Sequence, residues 1–143
     1  MTASPIILIA DRHDDMLSHL RWDGAGANCA LVHAKDGKEA LAIVSSQAQH
    51  ITAAVIELEL PLVNGLDLIG RLTSLMPKSK RIIATTSSEY EPLLEMAKHM
   101  GADAIVQKPA RKNWIEEVRR LLLEYVEHGR TRGKMHSVSR AGS

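Results

Sequence analysis

The chain has 143 residues, 45% of them apolar, and a formal net charge of +1, which suits one domain with an ordinary core and no disulfide or metal staple. Its single Cys29 cannot close an intramolecular bridge, which fits a reducing compartment. No apolar run approaches the roughly 18 residues of a membrane span, and MTASPIILIADR has too short an apolar stretch for a signal peptide, so a soluble cytoplasmic protein is expected.

Five apolar runs read as strands: 6–10, 29–33, 53–58, 80–85 and 104–107. They lack clean period-2 alternation and are rich in branched residues, as strands covered on both faces are. The first is followed by Asp11-Arg12-His13 and a short helix from about Asp14 to Trp22, ended by Gly24 and Gly26. Asp14 is expected to cap that helix and Asp15 to favour its dipole. After the second strand, Asp36 with Glu39 three residues on forms a capping box ahead of Ala40, Leu41 and Val44.

The third strand runs into IELELPLVNG and a helix whose stripe is Leu66, Ile69, Leu72 and Met76. Glu57 closes this strand, and Glu59, two residues on, is expected to face solvent. After the fourth strand, Thr85-Thr86 lead into a helix that Ser88 and Glu91 are expected to cap, with Pro92 tolerated in its first turn. Lys108-Pro109 follow the fifth strand, and Trp114, Ile115, Val118, Leu121, Leu122 and Tyr125 form the last helical stripe, which favours partial burial of Trp114.

From Arg130 on, RTRGKMHSVSRAGS holds four basic residues and no acid. Taking these from the 18 basic residues leaves 14 against 17 acids, so the body is weakly acidic. The expected division is a domain over 1–129 and a basic, disordered tail over 130–143. A nucleic-acid-binding role through the tail is disfavoured by this balance. The histidines show no metal-ligand spacing. No GxxxxGK[ST] or GxGxxG follows any strand, so a nucleotide-binding α/β protein is a distant alternative.

Strand and helix alternate five times, which implies a five-stranded parallel sheet with helices on both faces and ligands at the carboxyl ends of the strands. The residues at those ends carry a resemblance. IILIAD with Arg12, AKDGKEAL, VIELELPLVNGLDLI, IIATTS and GADAIVQKP, in this order, resemble response-regulator receiver domains of the chemotaxis-receiver type. Receivers are the phospho-acceptor partners of histidine kinases in two-component signalling, with a (βα)5 flavodoxin-like fold. The resemblance covers roughly residues 5 to 127. It implies that Glu57 stands at the acceptor position, Asp11 and Arg12 at the acidic pair that helps bind Mg²⁺, Thr86 at the threonine position and Lys108 at the lysine position.

Three positions depart from the family. Its acceptor is an aspartate, its second acid is here Arg12, and its aromatic switch residue in the fifth strand is here Ile105. Asp11 and Glu57 contribute two negative charges, which Arg12 and Lys108 cancel. Glu57 can therefore stay ionised without metal, and Arg12 can take roughly the space and charge role of Mg²⁺. Mg²⁺ binding is expected to be poor, and no cofactor is expected. A displaced acceptor without metal is expected to take phosphoryl groups too slowly to matter, since this transfer relies on positioning and electrostatics.

The sequence thus reads as a degenerate pseudo-receiver, not an enzyme, that works through a protein partner in trans, a histidine kinase or an effector. The partner surface is expected on the fourth helix, fifth strand and fifth helix, with Tyr90, Met96, Ile105 and Trp114, and a homodimer through that face is one form it can take. A conventional Mg²⁺-dependent phospho-acceptor is the alternative. Two arrangements of Glu57 stay open. In one it imitates an acyl phosphate toward Thr86 and Lys108, although with only about one charge; in the other Arg12 captures it.

Overall fold

The computed structural model describes residues 6–21, 30–75, 81–108 and 113–135, except for the side chains of His19, Arg21 and residues 126–135. Cys29, Met76, Lys80, Pro109 and the tail beyond 135 lie outside the described residues. The elements alternate as β1 (Ile6–Ala10), α1 (Asp15–Arg21), β2 (Ala30–Ala34), α2 (Gly37–Gln47), β3 (Ile51–Glu57), α3 (Gly65–Leu75), β4 (Arg81–Thr86), α4 (Glu91–Met100), β5 (Ala104–Gln107) and α5 (Trp114–Met135). A single 3₁₀ turn, Ala48–His50, leads into β3.

All four strand pairings are parallel, in the order β2-β1-β3-β4-β5. The order reverses beside β1, between β1 and β3, and that is where a doubly wound sheet opens its crevice. Because successive side chains of a strand point to opposite faces, the sheet feeds two cores. Leu8, Ala10, Ala54, Ile56, Ile82 and Ala84 pack on one side against Val44 of α2, Leu68, Ile69 and Leu72 of α3 and Ala97 of α4. Ile7, Ile9, Val55, Ile83 and Val106 pack on the other against Met16 and Leu20 of α1 and Val118 and Leu122 of α5. This two-sided burial is why the strands are unbroken apolar runs: each fully buried Leu or Ile stabilises the fold by about 1.5–3 kcal/mol.

The helix starts follow the local chemistry. Asp36 caps α2, accepting from the Glu39 amide at 2.8 Å, and Glu39 Oε1 reaches back to the Lys35 amide at 3.0 Å. Asn64 does the same for α3, accepting from the Asp67 amide at 3.0 Å. The expected Ser88 cap is displaced. The N-cap of α4 is Tyr90, with no side-chain cap, and Ser88 Oγ instead accepts from the Tyr90 amide at 3.0 Å. Pro92 does fall in the first turn, where its missing N–H costs nothing.

The helix α5 continues to Met135, past the residue 129 at which the domain was expected to end. Beyond the apolar stripe Glu127, Arg130, Arg132 and Lys134 favour a helix, against Gly129 and Gly133, which disfavour one, and basic residues suit a helix C-terminus. Among the described residues no helix is long and apolar enough to cross a membrane.

Candidate functional site

Three strands end together at the carboxyl edge of the sheet. β1 delivers Asp11 and Arg12, β3 ends on Glu57, and β5 is followed by Lys108. Backbone bonds continue the ladder past the strand ends and fix these positions: Asp11 N to Ala34 O at 3.0 Å, Leu58 N to Thr85 O at 2.8 Å and Lys108 N to Thr86 O at 2.8 Å. Gly65 lets α3 start directly behind Glu57, because a Cβ there would lie 2.4 Å from the Glu57 carbonyl oxygen.

Lys108 joins the two acids. Its Nζ lies 3.1 Å from Asp11 Oδ2 and 3.2 Å from Glu57 Oε2, and the three residues are 9%, 2% and 4% exposed. The ammonium also stands 5.0 Å from the centre of the Trp114 ring, within cation–π range. Trp114 is half-buried on the α5 side, with its ring against the lysine.

Arg12 holds the second oxygen of Glu57. Its backbone N–H and Nε donate to Oε1 at 3.2 and 3.5 Å, and its Nη2 donates to the Glu59 carbonyl. Burial opposes ionisation of Glu57, but the Arg12 amide, the Lys108 ammonium and the Arg12 guanidinium together outweigh it. The carboxyl is held below the ordinary glutamate value of 4.5. Asp11 is equally engaged: Oδ1 accepts from the His13 amide at 2.8 Å, and its carbonyl accepts from His33 Nε2 at 2.8 Å, which makes that ring nitrogen the protonated one. Of the two arrangements left open for Glu57, the structure has the one in which Arg12 captures it.

Thr86 does not reach Glu57. Its hydroxyl donates to Glu59 Oε2, and Glu59 Oε1 accepts from the Ser87 amide at 3.4 Å. The expectation that Glu59 faces solvent is therefore wrong; the residue is half-buried. The segment after β3 anchors Leu58 and Leu60 in the core at 5% exposure each, and Gly65 N bonds Leu58 O at 3.1 Å. With its two neighbours pointing inward, Glu59 is directed across the end of β4. With Glu59 included, three acids face two cations, so the neutral sum expected for the site becomes −1.

The turn at residues 61–63 borders the site. Val63 N donates to Pro61 O at 2.9 Å around Leu62, whose φ is +74°. This is a γ-turn of the strained kind, and nothing in a leucine announces it. Of the residues expected to meet a partner, Trp114 stands against the pocket's lysine. Tyr90 and Met96 are exposed, at 66% and 52%. Ile105 is half-buried against the α2–α4 core.

A doubly wound five-stranded sheet with Asp11 after β1, Glu57 at the end of β3 and Lys108 after β5 is the arrangement that the receiver resemblance implies. The family comparison agrees. The response regulator receiver domain model matches residues 7–119, and the chain belongs to that family. No curated protein matches the chain. Among solved structures it is similar to a CheY-like response regulator receiver domain protein from Methanospirillum hungatei JF-1, with 21% identity and a TM-score of 0.68 over 87% of this chain and 98% of that one. It is also similar to the signal receiver domain of an HD domain-containing protein from Pseudomonas fluorescens Pf-5, with 24% identity and a TM-score of 0.68 over 92% and 96%. A receiver domain from Clostridium thermocellum gives 16% identity and a TM-score of 0.70 over 88% and 97%. At these identities the structures speak for the fold. The receiver family places the chain in two-component signalling.

Proposed function

We propose that this receiver is a pseudo-receiver, which signals by binding a protein partner and does not use Mg²⁺-dependent phosphorylation. The observation that carries the reading is the saturation of the buried acids. Each of the four carboxylate oxygens of Asp11 and Glu57 already accepts a hydrogen bond, from His13 N, Lys108 Nζ or Arg12.

The donor set does not suit Mg²⁺. That ion asks for near-octahedral oxygen ligation and keeps several waters. Here two carboxylates face each other through an ammonium, and a guanidinium spans one of them and the Glu59 carbonyl. The third carboxylate, Glu59, is turned to Thr86. A divalent cation entering this set meets two fixed positive charges. Phosphoryl transfer to Glu57 would in addition require an oxygen freed from its donors, each charge-assisted bond being worth about 1.5–3 kcal/mol.

No side chain in this set is arranged to turn over a substrate, which supports a binding module over an enzyme. The exposed Tyr90 and Met96 support a partner contact on the α4 side, with a histidine kinase, an effector or a second copy as the occupant. That the sequence holds one cysteine, Cys29, supports a cytoplasmic location. Incubation with acetyl phosphate and Mg²⁺, followed by intact mass measurement, tests the proposal. An unchanged mass is expected, and gain of one phosphoryl group at Glu57 would overturn it.

A further inference from the structure

We infer that Glu59 is a built-in ligand for residues 86–90: its carboxylate, not a group added to Glu57, fixes the segment that carries the exposed Tyr90. The contacts run without a break. Arg12 Nη2 donates to the Glu59 carbonyl. The Glu59 carboxylate accepts from the Thr86 hydroxyl and, at 3.4 Å, from the Ser87 amide. Thr86 Oγ1 in turn accepts from the Ser88 amide at 3.0 Å, so the hydroxyl is used both ways. Ser88 Oγ accepts from the Tyr90 amide at 3.0 Å, and Ser88 O accepts from Gln107 Nε2 of β5 at 2.8 Å.

The carboxylate is what gives this chain its direction. A threonine hydroxyl rotates freely and donates wherever an acceptor lies. An ionised carboxylate is the strongest acceptor available to it, and the bond is charge-assisted. Once the Thr86 hydrogen points to Glu59, the lone pairs of Oγ1 are left for the Ser88 amide, which sets the turn that places Tyr90 at the N-cap of α4. Arg12 ties the same residue to the acid pocket. The acid pocket and the start of α4 thus meet at one residue, Glu59, with Arg12 on its backbone carbonyl and Thr86 on its carboxylate.

Glu59 acts here as a positioning residue. Its role is separate from whether Glu57 takes phosphate, because the contacts exist with Glu57 unmodified. The test is amide hydrogen exchange by NMR on the full chain, without phosphodonor, in Glu59→Ala, Glu59→Gln, Thr86→Val and the Glu59→Ala/Thr86→Val pair. Loss of one charge-assisted bond is expected to speed exchange at Ser87, Ser88 and Tyr90 about tenfold. The amides of Ile7, Leu8 and Ile9 should be unchanged, which shows that the fold is intact. Glu59→Gln keeps an acceptor oxygen and should fall between the wild type and Glu59→Ala. Thr86→Val removes both the bond to Glu59 and the acceptor of the Ser88 amide, so at Ser88 and Tyr90 the pair should not exceed Thr86→Val alone. Exchange at 87, 88 and 90 within about twofold of wild type in Glu59→Ala, or a further gain at Ser88 and Tyr90 in the pair over Thr86→Val, would overturn the inference.

Discussion

Replacing Lys108 by methionine keeps an unbranched side chain and removes its charge. The ammonium lies 3.1 Å from Asp11 Oδ2 and 3.2 Å from Glu57 Oε2, with all three groups buried. At an effective dielectric of about 20, each contact amounts to about 5 kcal/mol of gross attraction. Desolvation of the ammonium cancels much of this, and deleting one partner of a buried pair typically costs about 3–5 kcal/mol. Arg12 stays on Glu57, so the lower end applies: about 3 kcal/mol at pH 7, or roughly 10 °C in Tm.

The sign of the pH dependence follows from the charges. In the wild type Glu57 is held below 4.5, so its contribution is complete above that value and is lost as pH falls through the lowered pKa. In the variant the ammonium that helps hold it down is gone while its burial remains, so that contribution is smaller. The gap between the two proteins should therefore narrow between pH 7 and about pH 3. Urea unfolding at both ends of that range measures it. A loss under about 1 kcal/mol at pH 7, or equal losses at both ends, would refute the pairing.

Arg12→Ala should lower stability by about 1 kcal/mol or less, because its side chain is 43% exposed, and the loss should shrink in molar salt; an unchanged Tm at low salt counts against the pair. Gly65→Ala should cost roughly 1–3 kcal/mol, since the new methyl would meet the backbone of Glu57 and Leu58 at 2.4–2.7 Å. A neutral result in urea unfolding would mean that α3 does not brace Glu57. Thr85→Val should stabilise by about 1 kcal/mol, because the Thr85 hydroxyl is buried without a hydrogen-bond partner; a fall in Tm would show that a partner exists. Arg12→Asp combined with Glu57→Asp should create Mg²⁺ affinity detectable by calorimetry, and comparable binding by the natural protein would end the charge-compensation account.

The sheet was legible because its residues have one job. Strands covered on both faces must be continuous apolar runs, so Ile6–Ala10 and Ala104–Gln107 could be placed to the residue, and the other three to within about two residues. Asp11, Glu57, Thr86 and Lys108 were legible for a related reason: a polar residue directly after such a run has to sit at the sheet edge, where the crevice opens. What stayed hidden depends on side-chain direction outside regular elements. Glu59 lies in a turn, where period-2 reasoning is no longer secure, and its partner Thr86 is 27 residues away. Trp114 was read from its helical stripe as core, and the same half-burial also sets its ring under Lys108. Leu62 adopts a positive φ that its residue type disfavours, held by bonds from Val63 N and Gly37 N to Pro61 O, so only the folded context selects it.

The substitutions at the acceptor and at the second acid are best understood as one exchange. A glutamate reaches one methylene further than an aspartate, and that reach lets Oε1 meet the Arg12 amide and Nε while Oε2 meets Lys108. An arginine at the second acid position brings a permanent charge and a planar fork, and its far nitrogen extends to the Glu59 carbonyl. Glutamate beside a second acid would gather like charges in a buried site, which Arg12 at that position avoids. Together they leave each carboxylate oxygen of Asp11 and Glu57 with a donor. On the proposed pseudo-receiver reading, the arginine that disfavours a metal also holds the backbone of Glu59, whose carboxylate meets Thr86 at the end of β4.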